Sequence, residues 1–188
     1  MKILVTGANG FIGKNLIAEL EATTDHKVFS YDRDTDPDLL EVYCAEAEFV
    51  FHLAGVNRPK DPSEFMDGNF GFTSVLLNTL KNHSNKCPVM ISSSIQAELN
   101  NPYGESKKAG EDLLKTYGEE TGSKILIYRF PNVFGKWCLP NYNSAVATFC
   151  HNIARDLPIT VNDPNVVLNL VYIDDVVQEL VRALKGGE

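Results

Sequence analysis

Short apolar runs alternate along the chain with longer stretches whose apolar residues recur at helical spacing. Lys2–Thr6 (KILVT), Lys27–Tyr31, Glu48–Leu53 (EFVFHL), Pro88–Ser92 and Lys124–Phe130 (KILIYRF) read as strands. Between them, Phe11–Glu21 sets Ile12, Leu16, Ile17 and Leu20 on one helical face, and Pro37–Ala45 reads as a short helix. Asn69–Asn82, with Phe72, Val75, Leu76 and Leu80, and Tyr103–Glu120 read as longer helices. The remainder predicts a helix over Asn143–Arg155, strands at Ile159–Val161 and Val166–Ile173, and a closing helix over Asp174–Leu184. Turn-forming clusters at Asn57–Pro62 and Asn100–Pro102 fall between elements. Continuously apolar strands alternating with helices predict a parallel sheet covered on both faces, a doubly wound α/β fold. Ligands of such folds bind beyond the carboxyl ends of the strands, so the residues that follow each strand carry the functional reading. No repeat or linker divides the chain, which reads as one domain over residues 1–188.

The first strand runs directly into Thr6-Gly7-Ala8-Asn9-Gly10-Phe11-Ile12-Gly13. Glycines spaced by three at a strand–helix junction let the backbone approach a pyrophosphate, which the free N–H groups and positive end of the helix then hold. A mononucleotide P-loop does not fit: five residues separate Gly7 from Gly13-Lys14, and Asn15 stands where a magnesium-binding Ser or Thr belongs. After the second strand comes Tyr31-Asp32-Arg33-Asp34. Asp32 is placed to bind adenosine ribose hydroxyls, whereas Arg33 is suited to a 2′-phosphate; solvated loop charges are the competing reading for both.

Tyr103 and Lys107 stand four residues apart at a predicted helix start and share a face. An ammonium beside the phenol is expected to pull its pKa down from about 10, which suits proton exchange with a carbonyl or alcohol oxygen. A surface pair is the bland alternative at this spacing. Ser92-Ser93-Ser94 at the end of the fourth strand adds hydroxyls at the same edge of the predicted sheet.

Composition narrows the remaining classes. The 188 residues include 17 basic and 25 acidic side chains, a net charge of −8, with no basic block. A nucleic-acid partner is therefore not expected. No apolar run approaches the roughly 20 residues of a bilayer span, so no membrane association is expected. The N-terminus does not read as a signal peptide, which points to the cytoplasm with Cys44, Cys87, Cys138 and Cys150 reduced. His26, His52, His83 and His151 are scattered without metal-ligand spacing, so no metal is expected.

The motifs TGANGFIG at 6–13, FHLAG at 51–55 and YGESK at 103–107 resemble those of the short-chain dehydrogenase/reductase superfamily, in its extended branch acting on nucleotide sugars. The resemblance implies a Rossmann-like fold whose substrate subdomain is incomplete here. It implies a cofactor site formed by Gly7, Asn9, Gly10, Phe11, Ile12 and Gly13, with Asp32 or Arg33 at the adenosine ribose. Leu53, Ala54, Gly55 and Phe130 would line the rest of the cofactor path, and Lys107, with Tyr103, would bind the nicotinamide ribose. It further implies Tyr103 as acid/base, Lys107 as its partner and Ser94 as the hydroxyl that orients the substrate. Asn132 in YRFPNVFG would lie near cofactor and substrate; Arg58 or Lys136 would meet a substrate diphosphate, since Leu168 stands where many relatives carry Arg. A homodimer through the helices at Asn69–Asn82 and Tyr103–Glu120 is also implied, and Leu77, Leu114 and Tyr117 read as apolar positions in excess of one core face.

HLAGVNRP, SSSIQA, NPYGESK and FGKWCLPNYNSAVATF resemble more closely the bifunctional reductases of capsular-polysaccharide synthesis, in which a cupin domain follows the reductase domain. That likeness implies reduction of a UDP-4-keto-6-deoxy amino sugar at C4, with NADP(H) preferred and NAD(H) the alternative. It also implies that residues 1–188 are part of a longer protein. A nucleotide-sugar epimerase or dehydratase is the second reading, weakened because Ile95–Pro102 offers only one acid, Glu98. A non-catalytic dinucleotide sensor of the same fold is the third; its usual mark, a lost Tyr or Lys, is missing.

Overall fold

A computed structural model of the chain describes residues 1–186, which form two compact units, Met1–Arg129 and a second that begins at Phe130. In the first unit β1 (Lys2–Thr6), β2 (Lys27–Tyr31), β3 (Phe49–His52), β4 (Val89–Ser94) and β5 (Ile125–Phe130) line up in the order β2–β1–β3–β4–β5. The pairs β1–β2, β1–β3 and β3–β4 are parallel, with Leu4 opposite both Phe29 and Val50. β3 and β4 are buried at every residue, which is why they lack the apolar/polar alternation of a half-exposed strand. The chain leaves β1 toward β2 and returns to its other side for β3, so the strand order reverses at β1. A crevice for ligands opens at such a reversal, beyond the carboxyl ends of β1 and β3.

Helices cover both faces of this sheet. Alternate residues point to opposite faces: Leu4, Val50 and Val89 join Leu40, Leu76, Leu80, Leu114 and Tyr117 in one core cluster. Ile3, Val5, Phe49, Phe51 and Met90 are buried outside that cluster, as are Leu16 and Leu20 of α1 (Phe11–Thr23), which packs on β1 and β2. α2 (Asp38–Glu46), α4 (Phe72–Asn82) and α5 (Pro102–Thr121) supply the clustered side. α3 (Ser63–Phe65) leads into a π-helical stretch, Met66–Gly71, before α4 begins. The helix expected from Asn69 therefore starts with a wider turn, and Thr73, Leu76, Leu77, Thr79 and Leu80 form its buried face while Val75 is exposed.

Leu77, Leu114 and Tyr117 are almost fully buried in the chain's own core. They are not spare surface for a partner, contrary to the sequence expectation, because α4 and α5 pack on each other as well as on the sheet. Among the described residues, no helix is long and apolar enough to cross a membrane.

The second unit pairs β6 (Asn132–Phe134) with β7 (Leu170–Tyr172) in parallel, and adds α6 (Ala145–Ile153) and α7 (Ile173–Leu184). Ser144 caps α6 by accepting the Ala147 N–H at 3.2 Å. α7 buries Ile173, Val176, Val177, Leu180, Ala183 and Leu184. The strand expected at Ile159–Val161 does not form, and only Leu170–Tyr172 of the expected Val166–Ile173 is a strand. Ile159 and Val161 are exposed between Pro158 and Pro164; β-branched residues make a strand only where a neighbouring edge accepts them.

Candidate active site

β1 ends at Thr6, and the chain turns through Gly7, where φ is +69°, with the Gly10 N–H donating to the Gly7 carbonyl at 2.9 Å. A Cβ on Gly7 would lie 2.6 Å from the Ala54 nitrogen, and one on Gly13 would lie 2.3 Å from the Gly7 carbonyl oxygen. The loop is thus pressed between the exit of β3 and the first turn of α1, with room for no side chain at either position. α1 begins at Phe11 with no side-chain cap and no acid in its first turn. Asn9 and Gly10 are exposed, and Phe11 and Ile12 half-buried. Uncapped N–H groups at the positive end of a helix, behind a loop without side chains, fit the pyrophosphate of a nicotinamide dinucleotide.

Asp32, just past β2, accepts the Asn9 backbone N–H at 2.7 Å through one oxygen and the Arg33 N–H at 2.8 Å through the other. Arg33 is exposed. At the end of β3, the Leu53 N–H donates to the Thr6 carbonyl at 3.1 Å, and Gly55 is exposed. A methyl on Gly55 would lie 2.9 Å from the Lys107 Nζ. Lys107, the β3 exit and the glycine loop therefore share one edge of the sheet.

The three serines of β4 have different partners. Ser92 donates to the His52 carbonyl at 3.3 Å, and Ser93 donates to Glu111 Oε1 at 2.6 Å. Ser94 accepts the Gln96 N–H at 3.1 Å, capping a short 3₁₀ turn over Ile95–Glu98, and is hydrogen-bonded to the Tyr103 hydroxyl. Asn101 caps α5 by accepting the Gly104 N–H at 2.9 Å with Pro102 at the first helical position, an arrangement that starts a helix sharply. Tyr103 and Lys107 follow on one face. The Lys107 Nζ donates to the Ser92 carbonyl at 3.1 Å and lies 6.0 Å from the centre of the Tyr103 ring. Phe65 packs on that ring with centroids 5.5 Å apart.

Burial lowers the Lys107 pKa to about 8, with the Glu111 charge opposing the shift. Burial also raises the Tyr103 pKa above its ordinary value, and the Ser94 hydrogen bond only partly offsets that. This reverses the expected direction for Tyr103: its ammonium neighbour is engaged by Ser92, and loss of water around the phenol outweighs attraction to a charge at that distance. The phenol keeps its proton at neutral pH, the form needed to protonate an oxygen.

Two polar networks around this site were not read from the sequence. His52 is fully buried, with Nδ1 2.7 Å from Thr6 Oγ1 and Nε2 2.7 Å from Thr73 Oγ1. The Thr73 hydroxyl donates to the Asn69 carbonyl at 2.5 Å, leaving it to accept from the imidazole Nε2–H. The Asn69 amide donates to Ser106 Oγ at 2.9 Å and to the Val56 carbonyl at 2.9 Å. Burial drives the His52 pKa down to about 3, with the Lys107 charge adding to the effect, so the ring is neutral. The second network joins Ser93, Glu111, Arg129 and Glu98. The available signal was polar residues on otherwise apolar faces: Asn69 and Thr73 on a helix, Glu111 one turn beyond Lys107.

Arg58 is exposed in the segment after β3. Phe130, the last residue of β5, is half-buried; in the second unit Asn132 Nδ2 donates to the Asn169 carbonyl at 3.4 Å, and Lys136 pairs with Asp174 at 3.0 Å. Cys44 and Cys87 are core residues whose pKa burial pushes up to about 12, which leaves them protonated and unreactive.

The sequence matches the NAD dependent epimerase/dehydratase family over residues 3–188. It is 48% identical over 186 residues to the UDP-2-acetamido-2,6-beta-L-arabino-hexul-4-ose reductase of Pseudomonas aeruginosa, an alignment covering 99% of this chain and 50% of that protein. The crystal structure of the capsular polysaccharide assembling protein CapF from Staphylococcus aureus superposes with a TM-score of 0.90 at 52% identity, covering 100% of this chain and 51% of that one. The UDP-glucuronic acid 4-epimerase of Bacillus cereus, solved with UDP-glucuronic acid and NAD, superposes at 0.87 over 98% of this chain and 73% of its own; at 24% identity that likeness is one of fold. The chain spans about half the length of the first two relatives. Matched from its first strand to its last helix, and carrying a glycine loop that suits a nicotinamide dinucleotide, the chain belongs to the NAD dependent epimerase/dehydratase family.

Proposed function

We propose that this chain is the cofactor-binding part of a reductase that converts the C4 ketone of a UDP-4-keto-6-deoxy amino sugar to an alcohol during capsular or surface polysaccharide synthesis. The observation that carries the reading is the contact between Tyr103 and Ser94 beside Lys107, on the same sheet edge as the Gly7–Gly13 loop. The likeness to a named UDP-sugar reductase supports the substrate class.

In this reading the N–H groups of residues 9–13 hold the cofactor pyrophosphate, and Lys107 with Tyr103 binds the nicotinamide ribose. Leu53, Ala54 and Gly55 line the path between. When bound, NADPH supplies the hydride for C4. Ser94 donates a hydrogen bond to the ketone oxygen and aligns it with the phenol. Tyr103 gives that oxygen its proton, and the Lys107 ammonium stabilises the phenolate that remains. Arg58, exposed after β3, meets the substrate diphosphate. NADP(H) is preferred over NAD(H): both Asp32 oxygens are occupied by backbone N–H groups, while the neighbouring Arg33 is exposed to meet a 2′-phosphate. The protein works in the cytoplasm as a homodimer through α4 and α5, with Val75 as an exposed apolar residue of α4.

An epimerase or dehydratase returns its hydride and consumes no cofactor. Glu98, the only acid between Ser94 and Tyr103, is paired with Arg129 at 2.6 Å, which disfavours its use as a dehydratase base. Incubation of the longest natural form of the protein with NADPH and a UDP-4-keto-6-deoxy amino sugar tests the assignment. Stoichiometric NADPH oxidation supports reduction; conversion of a nucleotide sugar without oxidation points to epimerisation, and no turnover with any such sugar to a sensor.

A further inference from the structure

The face of α5 that carries Tyr103 and Lys107 continues, one turn further, to Glu111, which is 1% exposed. One of its oxygens accepts from Ser93 Oγ at 2.6 Å and from Arg129 Nε at 2.7 Å; the other accepts from Arg129 Nη2 at 2.7 Å. The remaining arm of Arg129, Nη1, reaches Glu98 at 2.6 Å. Ser93 precedes Ser94 on β4, Arg129 lies on β5, and Glu98 sits in the turn that Ser94 caps. One buried carboxylate therefore fastens α5 to β4 and β5, directly behind the pair that meets at Ser94. A buried ion pair is a poor source of stability compared with well-packed apolar side chains. Its position asks for another role.

We propose that Glu111 is a positioning residue for Lys107 and Ser94, holding the helix that bears one against the strand that bears the other. The inference rests on the roles given to Lys107 and Ser94 above. Burial works against the Glu111 charge, but the bonds from Arg129 and Ser93 overcome it and keep the carboxyl below its ordinary range. That negative charge is the influence that keeps Lys107 protonated against its own desolvation. The other groups around Lys107 do not substitute for it. From β3, His52 is neutral; from the π-helical stretch, Asn69 is uncharged and Asp67 exposed; from α3, Glu64 is exposed. From β5, Arg129 opposes the ammonium; Glu98 is exposed beyond Arg129; and Lys81 of α4 pairs with Glu120 toward the end of α5.

The test is a titration of the cofactor-free chain, labelled with ¹³C-lysine and followed by NMR. The Lys107 signal is identified by its loss in Lys107→Arg. The wild-type midpoint is expected near 8. Glu111→Gln should lower it by about one unit or more and move the Ser94 amide signal in a ¹⁵N spectrum, while Ser93→Ala, which cuts the tie to β4 but removes no charge, should move the Ser94 signal and leave the midpoint in place; an unmoved Ser94 signal in both variants overturns the positioning role. An unmoved midpoint in Glu111→Gln, or an equal shift in Ser93→Ala, overturns the proposal. If Glu111→Gln does not fold, the double variant Glu111→Met with Arg129→Met, which replaces the buried pair with apolar side chains, is read instead: the midpoint should again fall, and a rise or no change refutes the role. No cofactor or sugar is present, so the result is independent of the assigned reaction. A chain that shows these shifts yet reduces no nucleotide sugar supports the Glu111 role and overturns the activity.

Discussion

The Lys107 ammonium donates to the backbone carbonyl of Ser92 at 3.1 Å, two residues before the serine that meets Tyr103. The bond holds a cation in a place that strips it of water, and its pKa falls from 10.5 to about 8. The folded chain therefore binds this proton less tightly than the unfolded chain, so folding stability rises as pH goes from about 8 toward 10.5.

A stability cost at neutral pH follows from that shift. Lys107→Met should stabilise the cofactor-free chain by about 1–2 kcal/mol at pH 7, a figure discounted for the partial exposure of the side chain. The advantage should shrink as pH rises past 8 and wild type sheds the proton. Urea unfolding at pH 7 and pH 10 measures it; a variant less stable than wild type at pH 7 contradicts the account. Under the proposed reduction, the same variant should lose activity, and the wild-type kcat/KM should fall above about pH 8 as the ammonium is lost.

In the proposed reaction, Tyr103→Phe removes the proton donor and leaves the ring packed on Phe65. A positioned acid is worth roughly 10²–10⁴ in rate, so kcat should drop by at least that range while NADPH affinity stays within a few-fold. Steady-state kinetics alongside calorimetric binding separates the two effects. A variant that keeps more than a tenth of wild-type kcat assigns the proton to another group.

Gly13→Ala would place a methyl 2.3 Å from the Gly7 carbonyl oxygen, a backbone atom with no freedom to retreat. Dinucleotide binding should fall by an order of magnitude or more even where the variant folds, since the loop must open to admit the methyl. Calorimetry on variant protein with native circular dichroism checks it, and unchanged affinity would show that the loop does not hold the cofactor.

Arg33→Ala should weaken NADPH by about tenfold, the usual scale of one charge-assisted contact, and leave NADH unchanged. If wild type binds NADH more tightly and Arg33→Ala alters neither cofactor, Asp32 governs the choice and the preference is for NAD(H).

Val75 is 51% exposed on α4. If α4 and α5 form a dimer interface, Val75→Lys should shift the chain toward monomer in light scattering, because a buried ammonium without a partner is costly. A wild-type monomer at high concentration would rule the interface out.

Much of this molecule was legible in local pattern. Five apolar runs specified the five strands of the main sheet, and for the central β1, β3 and β4, buried on both faces almost throughout, no alternation was left to misread. Glycines spaced by three identified the loop, because only residues without side chains fit between β3 and α1. The spacing of Tyr103 and Lys107 was enough to set them on one helical face. Tertiary structure decided what depends on neighbours distant in sequence. Three adjacent serines look alike in sequence, and the packing of β4 against β3 and α5 alone sends one to His52, one to Glu111 and one to Tyr103. The direction of the Tyr103 pKa depended on how much water its surroundings remove, which spacing to Lys107 does not encode. Leu77, Leu114 and Tyr117 were consumed by the chain's own core, and Ile159–Val161 found no strand to pair with. Helical faces and turns follow from the order of residues along the chain, whereas burial, strand pairing and charge compensation exist only once distant segments exclude water together.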